Sequence, residues 1–424
     1  MAQPLDQPAK DHRMETKLNQ IPDPETPMSE FSELLNNRDS VLHKVSTKQR
    51  NRFIKHTNNN PSQFSNWRWQ MKHQVHSQEQ AKNWLNLDPD EIMGFNQLKD
   101  LFNAGVTPYY MGLMDPDNPL CPIRLQSVPR GSEKVDKLGM HDPLDEVPHS
   151  PVKEVVHVYP DRVAFCVAQL CPVYCRYCFR KRRDDEQGLH FNRSIIDRGV
   201  NYIRENPAIR DVLITGGDAF IASDSAIDHL LNRICAIPHV EMVRFGTRTP
   251  VTLPYRVTKN LCKIIGKHQK VFVNTHFNCA EEMTPDASQA IANLVNAGIP
   301  VGNQAVLLRG VNNTPEKMMN LCRSLLKNRV RPYYVFHPHA VEGTEHLRVT
   351  VDEGLKVMGS LRGNITGMGI PVYALDTPSG KIPIQKNYIL ARDGHDLVFE
   401  TIRGEIWREK GVNTPLPELH SVDK

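Results

Sequence analysis

Three cysteines stand within eight residues of one another in the sequence CPVYCRYCF. Cys171, Cys175 and Cys178 place three soft thiolate ligands on one short loop. A structural zinc site usually takes four ligands, often as two C-x2-C pairs, and the chain has no second pair. Iron–sulfur clusters held only by cysteine also use four thiolates. A set of three would leave one iron open to a substrate or cofactor, whereas metal-free thiols at this position would invite oxidation.

The cysteines follow the first of seven β-rich runs, which alternate with amphipathic segments. The predicted strands are RVAFCVA, DVLIT, MVRFGT, KVFVNTHF, VGNQAVLL, RPYYVFH and PVYALD. The predicted helices span residues 194–204, 224–235, 256–267, 285–297, 315–326 and 351–362. A repeat of roughly 30 residues is typical of βα units with right-handed crossovers. The pattern predicts an α/β fold, a partial, TIM-like (β/α)6 barrel with six strands.

Barrels of this kind gather their chemistry at the carboxyl ends of the strands. Polar candidates follow most of the predicted strands there: Gly216, Gly217 and Asp218, then His276, Gln304, His337, His339, and the stretch from Asp376 to Lys381. Taken singly, each has an ordinary explanation as a turn glycine, a core histidine or an exposed lysine. Their position at strand ends makes them candidate site residues.

Composition divides the chain into four predicted regions. Residues 1–62 are polar and rich in proline, which predicts a mobile leader. Residues 63–150 form a helical N-terminal segment with a long connection, 151–381 the barrel, and 382–424 a C-terminal extension. In the N-terminal segment, Ser77 and Gln80 resemble a capping box that opens a helix carrying Trp84 and Leu85. A second helix is predicted from about Asp90 to Phe102.

Charge and hydropathy exclude several classes of protein. The 52 basic and 48 acidic residues give a net charge of +4, which offers no basis for nucleic-acid or membrane-surface binding. No run of 18 apolar residues occurs, and the first residues lack the features of a signal peptide. Nine scattered and clustered cysteines do not suggest a disulfide framework. We therefore expect a cytoplasmic protein, in which the basic run from Lys181 to Arg183 forms a solvated edge.

Several motifs together resemble a known family. The cysteine loop resembles the radical S-adenosylmethionine (SAM) signature, C-x3-C-x-aromatic-C. The surrounding sequences resemble the lysine 2,3-aminomutase family from about Asn66 to Glu405: YPDRV, DVLITGGDAF, FGTRTPV, NTHFN, GIPVGNQAVLLRGVN, RPYY and GKIP. The resemblance implies a partial barrel of the radical SAM type.

The resemblance also implies two of the cofactors and their ligands. Cys171, Cys175 and Cys178 would hold a [4Fe-4S] cluster whose fourth iron binds S-adenosyl-L-methionine, the source of a 5'-deoxyadenosyl radical. The residues that match positions around S-adenosylmethionine are Tyr177, Gly216, Gly217, Asp218, His276 and Gln304. The two glycines would let the backbone approach the methionine end.

The third implied cofactor is pyridoxal 5'-phosphate. Lys381 matches the lysine that forms a Schiff base with it, although the glycine-rich run before this lysine is shorter than in the family. Arg162 matches a phosphate ligand, while Val158 replaces a neighbouring arginine of the family. Arg180 matches the partner of the substrate α-carboxylate. His339 and Asp376 occupy the two positions that bind the distal group of the substrate.

The function implied is a 2,3-aminomutase, an isomerase that moves the α-amino group of an amino acid to its β-carbon. Asp376 favours L-lysine or a related basic amino acid, and a protonated His339 would favour L-glutamate as the alternative. A sibling enzyme that acts on protein-bound or modified substrate, such as those that prepare β-lysine for elongation factor P, is a further reading. From another class, a non-catalytic iron–sulfur electron-transfer protein would explain the cysteines but not Lys381.

The expected partners are a small-molecule amino acid and an electron donor such as flavodoxin or ferredoxin, without nucleic acid or membrane. The sequence leaves room for a homo-oligomer. Thr314 stands where the family carries a zinc-binding cysteine, so assembly through zinc is not expected.

Overall fold

The computed structural model describes residues 64–98, 101–181 and 193–413. The predicted leader, residues 1–62, lies outside the described residues, as do Arg182 and Arg183 of the basic run. In the described residues, no helix is long and apolar enough to cross a membrane.

The described part of the N-terminal segment contains five short helices. They are α1 (Trp67–Lys72), α2 (Gln78–Lys82), α3 (Pro89–Gln97), α4 (Pro108–Gly112) and α5 (Pro122–Leu125). The capping box predicted at α2 is confirmed. The side chain of Ser77 accepts from the Gln80 backbone amide, and the side chain of Gln80 accepts from the Ser77 backbone amide. The helix ends sooner than predicted, so Trp84 and Leu85 follow it. Likewise α3 ends at Gln97, with Leu98 as its C-cap.

In residues 101–181 and 193–413, the barrel is a sheet of nine strands in sequential order. Strands β2 to β8 are parallel, and β1 and β9 pair antiparallel at the two edges. The strands are β1 (Val155–Tyr159), β2 (Arg162–Ala168), β3 (Asp211–Gly216), β4 (Met242–Gly246), β5 (Val271–Thr275), β6 (Val301–Val306), β7 (Arg331–Phe336), β8 (Val372–Thr377) and β9 (Gly380–Pro383).

Helices connect every consecutive pair of parallel strands. They are α6 (Arg193–Glu205), α7 (Asp224–Cys235), α8 (Thr249–Thr252), α9 (Lys259–Gly266), α10 (Pro285–Asn296), α11 (Pro315–Lys327) and α12 (Val351–Leu361). The predicted fold class is confirmed, with six βα units followed by a seventh parallel strand, β8. Helix α9 begins later than predicted because Thr258 caps it, after a 3-10 turn at Pro254–Arg256.

One face of each parallel strand forms the core against the helices. Val212 and Ile214 of β3 and Val243 and Phe245 of β4 are fully buried, while the residues between them are partly exposed. This alternation is expected for a sheet that buries one face and leaves the other lining an open channel. The two edges of the sheet meet at one point, where the Lys381 amide donates to the Tyr159 hydroxyl at 2.7 Å.

A second, three-stranded antiparallel sheet follows the barrel within the predicted C-terminal extension. Its strands are β10 (Ile389–Asp393), β11 (Asp396–Glu400) and β12 (Ile406–Glu409).

A buried ion-pair group fastens the N-terminal segment to the cysteine loop. Glu133 lies in a 3-10 turn and binds Arg176 at 2.6 Å and Lys181 at 3.0 Å. Burial alone would raise the pKa of Glu133, but the two cations hold it at about 2. The prediction that Lys181 lies on a solvated edge is wrong: its side chain is 5% exposed, because it also binds the Gly343 carbonyl at 2.8 Å.

Candidate active site

The cysteine loop directly follows β2. Cys171, Cys175 and Cys178 form no disulfide and are half-buried. Neighbouring segments hold the loop in place: Gln74 donates to the Cys171 carbonyl at 2.9 Å, and the Arg176 amide donates to the Gln126 carbonyl at 2.8 Å. The loop is therefore anchored at its start and its middle.

In the described parts of the chain, no group of three His, Cys, Asp or Glu side chains forms a site for a single metal ion. By the chemistry of its donors, a set of three thiols on one loop fits three corners of an iron–sulfur cluster.

Arg248 contacts the middle cysteine. It follows β4, and its Nη1 donates to Cys175 Sγ at 2.8 Å. A guanidinium that donates to a cysteine sulfur would also offset the negative charge of a cluster bound through that sulfur. This contact supports the fit between the loop and an iron–sulfur cluster.

Gly216 and Gly217, at the end of β3, serve a close approach of backbone. Gly216 has φ +121, and a Cβ there would collide with the Ala168 carbonyl, while one on Gly217 would collide with Gln169 and Leu170. The amide of Gly217 bonds to the Ala168 carbonyl. In this structure the glycines accommodate the chain that leads into the cysteine loop, and the approach of methionine stays a prediction.

The Asp218 carboxylate is occupied by the protein itself. It accepts hydrogen bonds from Thr247 Oγ1 at 2.6 Å, from the Arg248 amide at 2.8 Å and from the Phe220 amide at 3.1 Å. Burial raises the pKa of this carboxyl. Asp218 therefore joins the loops that follow β3 and β4.

Tyr177 and His276 form a stacked pair beside the cysteine loop. Their ring centroids lie 5.6 Å apart at 14°, and the Tyr177 hydroxyl lies 2.9 Å from His276 Nε2. Burial and the Arg248 cation lower the pKa of His276 to about 3, so its imidazole is neutral. Gln304, in the middle of β6, is half-buried and has no side-chain hydrogen bond to another described residue.

Lys381 and Asp376 face each other across the β8–β9 pair. Their register is direct, and Lys381 Nζ lies 2.9 Å from Asp376 Oδ1. The amine also lies 5.7 Å from the ring centroid of Tyr159 and 5.6 Å from that of Phe336. A lysine between two aromatic rings suits a flat pyridine ring carrying an aldehyde.

Arg162 lies at the amino end of β2 and not at a carboxyl end. Its guanidinium lies 3.9 Å from the ring centroid of Tyr159, the same residue whose hydroxyl binds the Lys381 amide. The side chain is 42% exposed and lies 3.8 Å from Asp161. Tyr159 thus connects the two predicted pyridoxal phosphate residues, and a guanidinium there suits a phosphate dianion.

His339 approaches the site from the loop after β7. Its Nε2 lies 4.0 Å from Asp376 Oδ2, is buried, and has no hydrogen-bond partner among the described residues. Its ring lies 5.1 Å from that of Phe179, next to the last cysteine. Burial lowers the pKa of His339, with Asp376 acting against this effect.

Arg180 already holds a carboxylate of the protein. Glu146 accepts from Arg180 Nε at 2.9 Å and from Nη2 at 2.5 Å, and both side chains are largely buried. Arg180 Nη1 makes no hydrogen bond to another described residue. Because Glu146 binds only Nε and Nη2, Nη1 is available to donate to a second carboxylate, such as that of a substrate.

The structure therefore brings the predicted residues together in two groups. The first surrounds the cysteine loop, with Tyr177, His276 and Gly216, and the second surrounds Lys381, with Asp376 and His339. Tyr159, Glu146 and Arg248 were not among the residues predicted from the sequence. Tyr159 and Arg248 did have a signal, because they lie in YPDRV and FGTRTPV, two of the motifs that carried the resemblance.

A partial (β/α) barrel with three cysteines after its first parallel strand, and a lysine at its last edge, is the arrangement that the sequence resemblance to pyridoxal phosphate-dependent radical SAM enzymes implies. The particular family follows from comparison with known proteins.

No family model matches the chain. L-lysine 2,3-aminomutase of Bacillus subtilis is 42% identical over 346 residues, which cover 81% of this chain and 74% of that protein. Glutamate 2,3-aminomutase of Clostridioides difficile is 37% identical over 372 residues, which cover 87% and 88%. The chain belongs to the lysine 2,3-aminomutase family of isomerases, whose cofactors are a [4Fe-4S] cluster, S-adenosylmethionine and pyridoxal 5'-phosphate.

Among solved structures, Streptococcus suis SuiB bound to S-adenosylmethionine matches with a TM-score of 0.39 at 14% identity. The match covers 52% of this chain and 48% of that one. A likeness at this level supports no conclusion about the function of this chain.

Proposed function

We propose that this enzyme is a 2,3-aminomutase of L-lysine or a related basic amino acid. The chain is similar to lysine 2,3-aminomutases, and its site offers a carboxylate for a cationic side chain. Asp376 is the residue on which this proposal rests.

The carrying observation is the 2.9 Å contact between Asp376 Oδ1 and Lys381 Nζ. Asp376 is 17% exposed, so it binds an ammonium group in a largely desolvated position. Once the Lys381 nitrogen is bound to the coenzyme, it no longer serves as the partner of this carboxylate. The distal ammonium of a substrate then takes the place of the Lys381 amine, so the buried Asp376 carboxylate keeps a cationic partner.

The neutral state of His339 adds to this preference. Because burial lowers its pKa, the imidazole is uncharged near neutral pH and offers no cation to an anionic side chain. Glu146 adds negative charge on the side of Arg180. A γ-carboxylate would lie close to Asp376 and gain no compensating charge from His339.

The roles of the remaining residues follow from their positions. Cys171, Cys175 and Cys178 would hold the cluster, and Arg180 Nη1 would orient the α-carboxylate. Tyr177, His276, Gln304, Gly216, Gly217 and Asp218 would surround or support the S-adenosylmethionine site, and Arg162 and Lys381 the pyridoxal phosphate site. When bound, S-adenosylmethionine would supply a carbon radical, and pyridoxal phosphate would supply a π-bond that accepts the substrate radical during the migration.

Glutamate is the second candidate substrate. A relative named glutamate 2,3-aminomutase matches 87% of this chain, nearly as strongly as the lysine enzymes. Protonation of His339 would give the pocket a positive charge and favour this substrate.

The electron would come from a donor such as flavodoxin or ferredoxin. None of the nine cysteines forms a disulfide in the structure, and a reducing compartment such as the cytoplasm is consistent with this.

The test is a substrate screen on enzyme reconstituted anaerobically with iron, sulfide, pyridoxal phosphate and S-adenosylmethionine. We expect the β-isomer of L-lysine to form with a higher kcat/KM than that of L-glutamate. The D376N variant should lower kcat/KM for lysine roughly 10- to 100-fold, the loss expected for a hydrogen bond to a charged group. D393N is the matched control, since Asp393 lies in the exposed β10 and pairs with Arg408.

Three results would count against the proposal. Faster isomerisation of glutamate would reverse the substrate assignment. An unchanged lysine rate in D376N would remove Asp376 from the pocket. A loaded enzyme that yields neither β-isomer would contradict an aminomutase of either free amino acid.

A further inference from the structure

Arg248 has no role in the substrate chemistry described above, yet its side chain is one of the most heavily bonded in the described part of the molecule. It is a buried arginine, 9% exposed, at the end of β4. Its backbone amide binds Asp218, which fixes the start of the side chain.

Every nitrogen of the Arg248 guanidinium has an acceptor. Nη2 binds Glu282 Oε1 at 2.6 Å, Gln126 Oε1 at 2.7 Å and the Tyr110 hydroxyl at 2.8 Å. Nε binds the His276 carbonyl at 3.3 Å. Nη1 is directed at Cys175 Sγ at 2.8 Å. The group is therefore held from several sides with one edge presented to a cysteine sulfur.

Glu282 offsets only part of the positive charge that Arg248 presents to the Cys175 sulfur. It is fully buried, and its Oε2 does not bind Arg248 but accepts from the Asn278 amide at 2.6 Å and from the Cys279 amide at 3.1 Å. A buried ion pair is a weak source of stability, because desolvation offsets the attraction. The arrangement is better explained by what the cation does at the sulfur.

We propose that Arg248 is a positioning residue for the iron–sulfur cluster, which orients Cys175 and raises the reduction potential of the cluster through its hydrogen bond and charge. The inference rests on the proposed role of the three cysteines as cluster ligands. Hydrogen bonds to cluster sulfurs and the net charge nearby set the potential of such clusters. A cation stabilises the reduced form, which carries one more electron, and so eases electron transfer from a low-potential flavoprotein or iron–sulfur donor.

The experiment compares the wild-type enzyme with R248K and R248Q, each reconstituted anaerobically and assayed for iron per chain. The midpoint potential of the cluster is then measured by an EPR-monitored redox titration. We expect R248Q to have a more negative potential than wild type, with R248K between them because it keeps the charge but loses the multiple hydrogen bonds. R244Q is the matched control: Arg244 lies in β4 and pairs with Asp211 at 2.8 Å, and its loss should leave the potential unchanged.

Equal potentials in wild type, R248K and R248Q at full iron loading would overturn the proposal. If R248Q folds but takes up no iron, the R248K variant provides the test. A cluster potential in R248K equal to that of wild type counts against the proposal, and a lower potential supports it. A wild-type protein that binds no cluster at all would instead overturn the assignment of the cysteines, which keeps the two failures distinct.

Discussion

The cysteine side and the lysine side of the barrel differ in how far the protein satisfies its own polar groups. Around Cys175, the carboxylates of Asp218 and Glu282 and the guanidinium of Arg248 all have partners within the protein. Around Lys381, the amine is 35% exposed, and the buried His339 Nε2 has no partner in the described residues. The first arrangement suits a permanent group in a rigid frame, and the second suits ligands that exchange at each turnover.

The comparison implies that each region can lose its cofactor while the other keeps its own. C175A should abolish activity, because a cluster with two protein thiolates is not retained, while binding of pyridoxal phosphate persists. Iron content and the visible spectrum measure the first effect, and the coenzyme absorbance measures the second. C235A is the control, since Cys235 is a half-buried cysteine of α7. A full cluster in C175A would show that Cys175 is not a ligand.

The reciprocal change is K381A, which removes the amine on the lysine side. We expect at least a roughly 1,000-fold loss of kcat, because covalent attachment of the coenzyme is lost, with iron content unchanged. Borohydride reduction followed by mass spectrometry should show a pyridoxyl adduct on Lys381 in wild type. K386A is the control, because Lys386 lies nearby and pairs with Glu400 at 2.6 Å. An adduct at another lysine in wild type would contradict the assignment.

Glu146 provides a smaller change on the lysine side. In E146Q, Arg180 loses its charged partner and the pocket loses one negative charge. We expect kcat/KM for lysine to fall roughly 10-fold, within the range for a hydrogen bond to a charged group, and the preference for lysine over glutamate to narrow. Competition assays with both amino acids measure this preference.

The control for E146Q is D145N, the neighbouring exposed residue. Asp145 has φ 52, which asparagine tolerates, so this variant should keep the wild-type preference. An E146Q enzyme with an unchanged preference would place Glu146 outside the electrostatics of the pocket.

The two regions also differ in how well the sequence predicted them. The cysteine loop, the strand ends and most helix bounds follow from local patterns, such as the Thr and Ser caps and the alternating burial of β3 and β4. Lys181 was misassigned because its partner, Glu133, is 48 residues away and carries no local signal. The contact of Tyr159 with Lys381 spans 222 residues and exists only because the two edges of the sheet meet. Pairings that depend on closure of the sheet cannot be derived from spacing.

The smallest predicted effect is a pH dependence of the protein's stability that arises on the cysteine side. His346 interacts electrostatically with Glu133, Lys181, Arg130 and Arg176, and Glu133 in turn binds Arg176 of the cysteine loop. Both of its ring nitrogens are buried without a partner in the described residues. Burial lowers its pKa to about 4, with Glu133 opposing this effect and the three cations adding to it. The folded protein therefore keeps His346 neutral at a pH where the unfolded chain takes up a proton.

Because the unfolded state binds more protons below its own histidine pKa of about 6.5, stability falls as the pH drops from there towards 4. We expect H346L to reduce the loss of stability between pH 7 and pH 5 by about 1–2 kcal/mol. Thermal unfolding of the loaded enzyme at the two pH values measures this change, with the exposed His395 replaced in H395L as the control. A pH dependence unaltered in H346L would mean that this histidine is protonated in the fold, and that the cysteine side is less tightly closed than its contacts indicate.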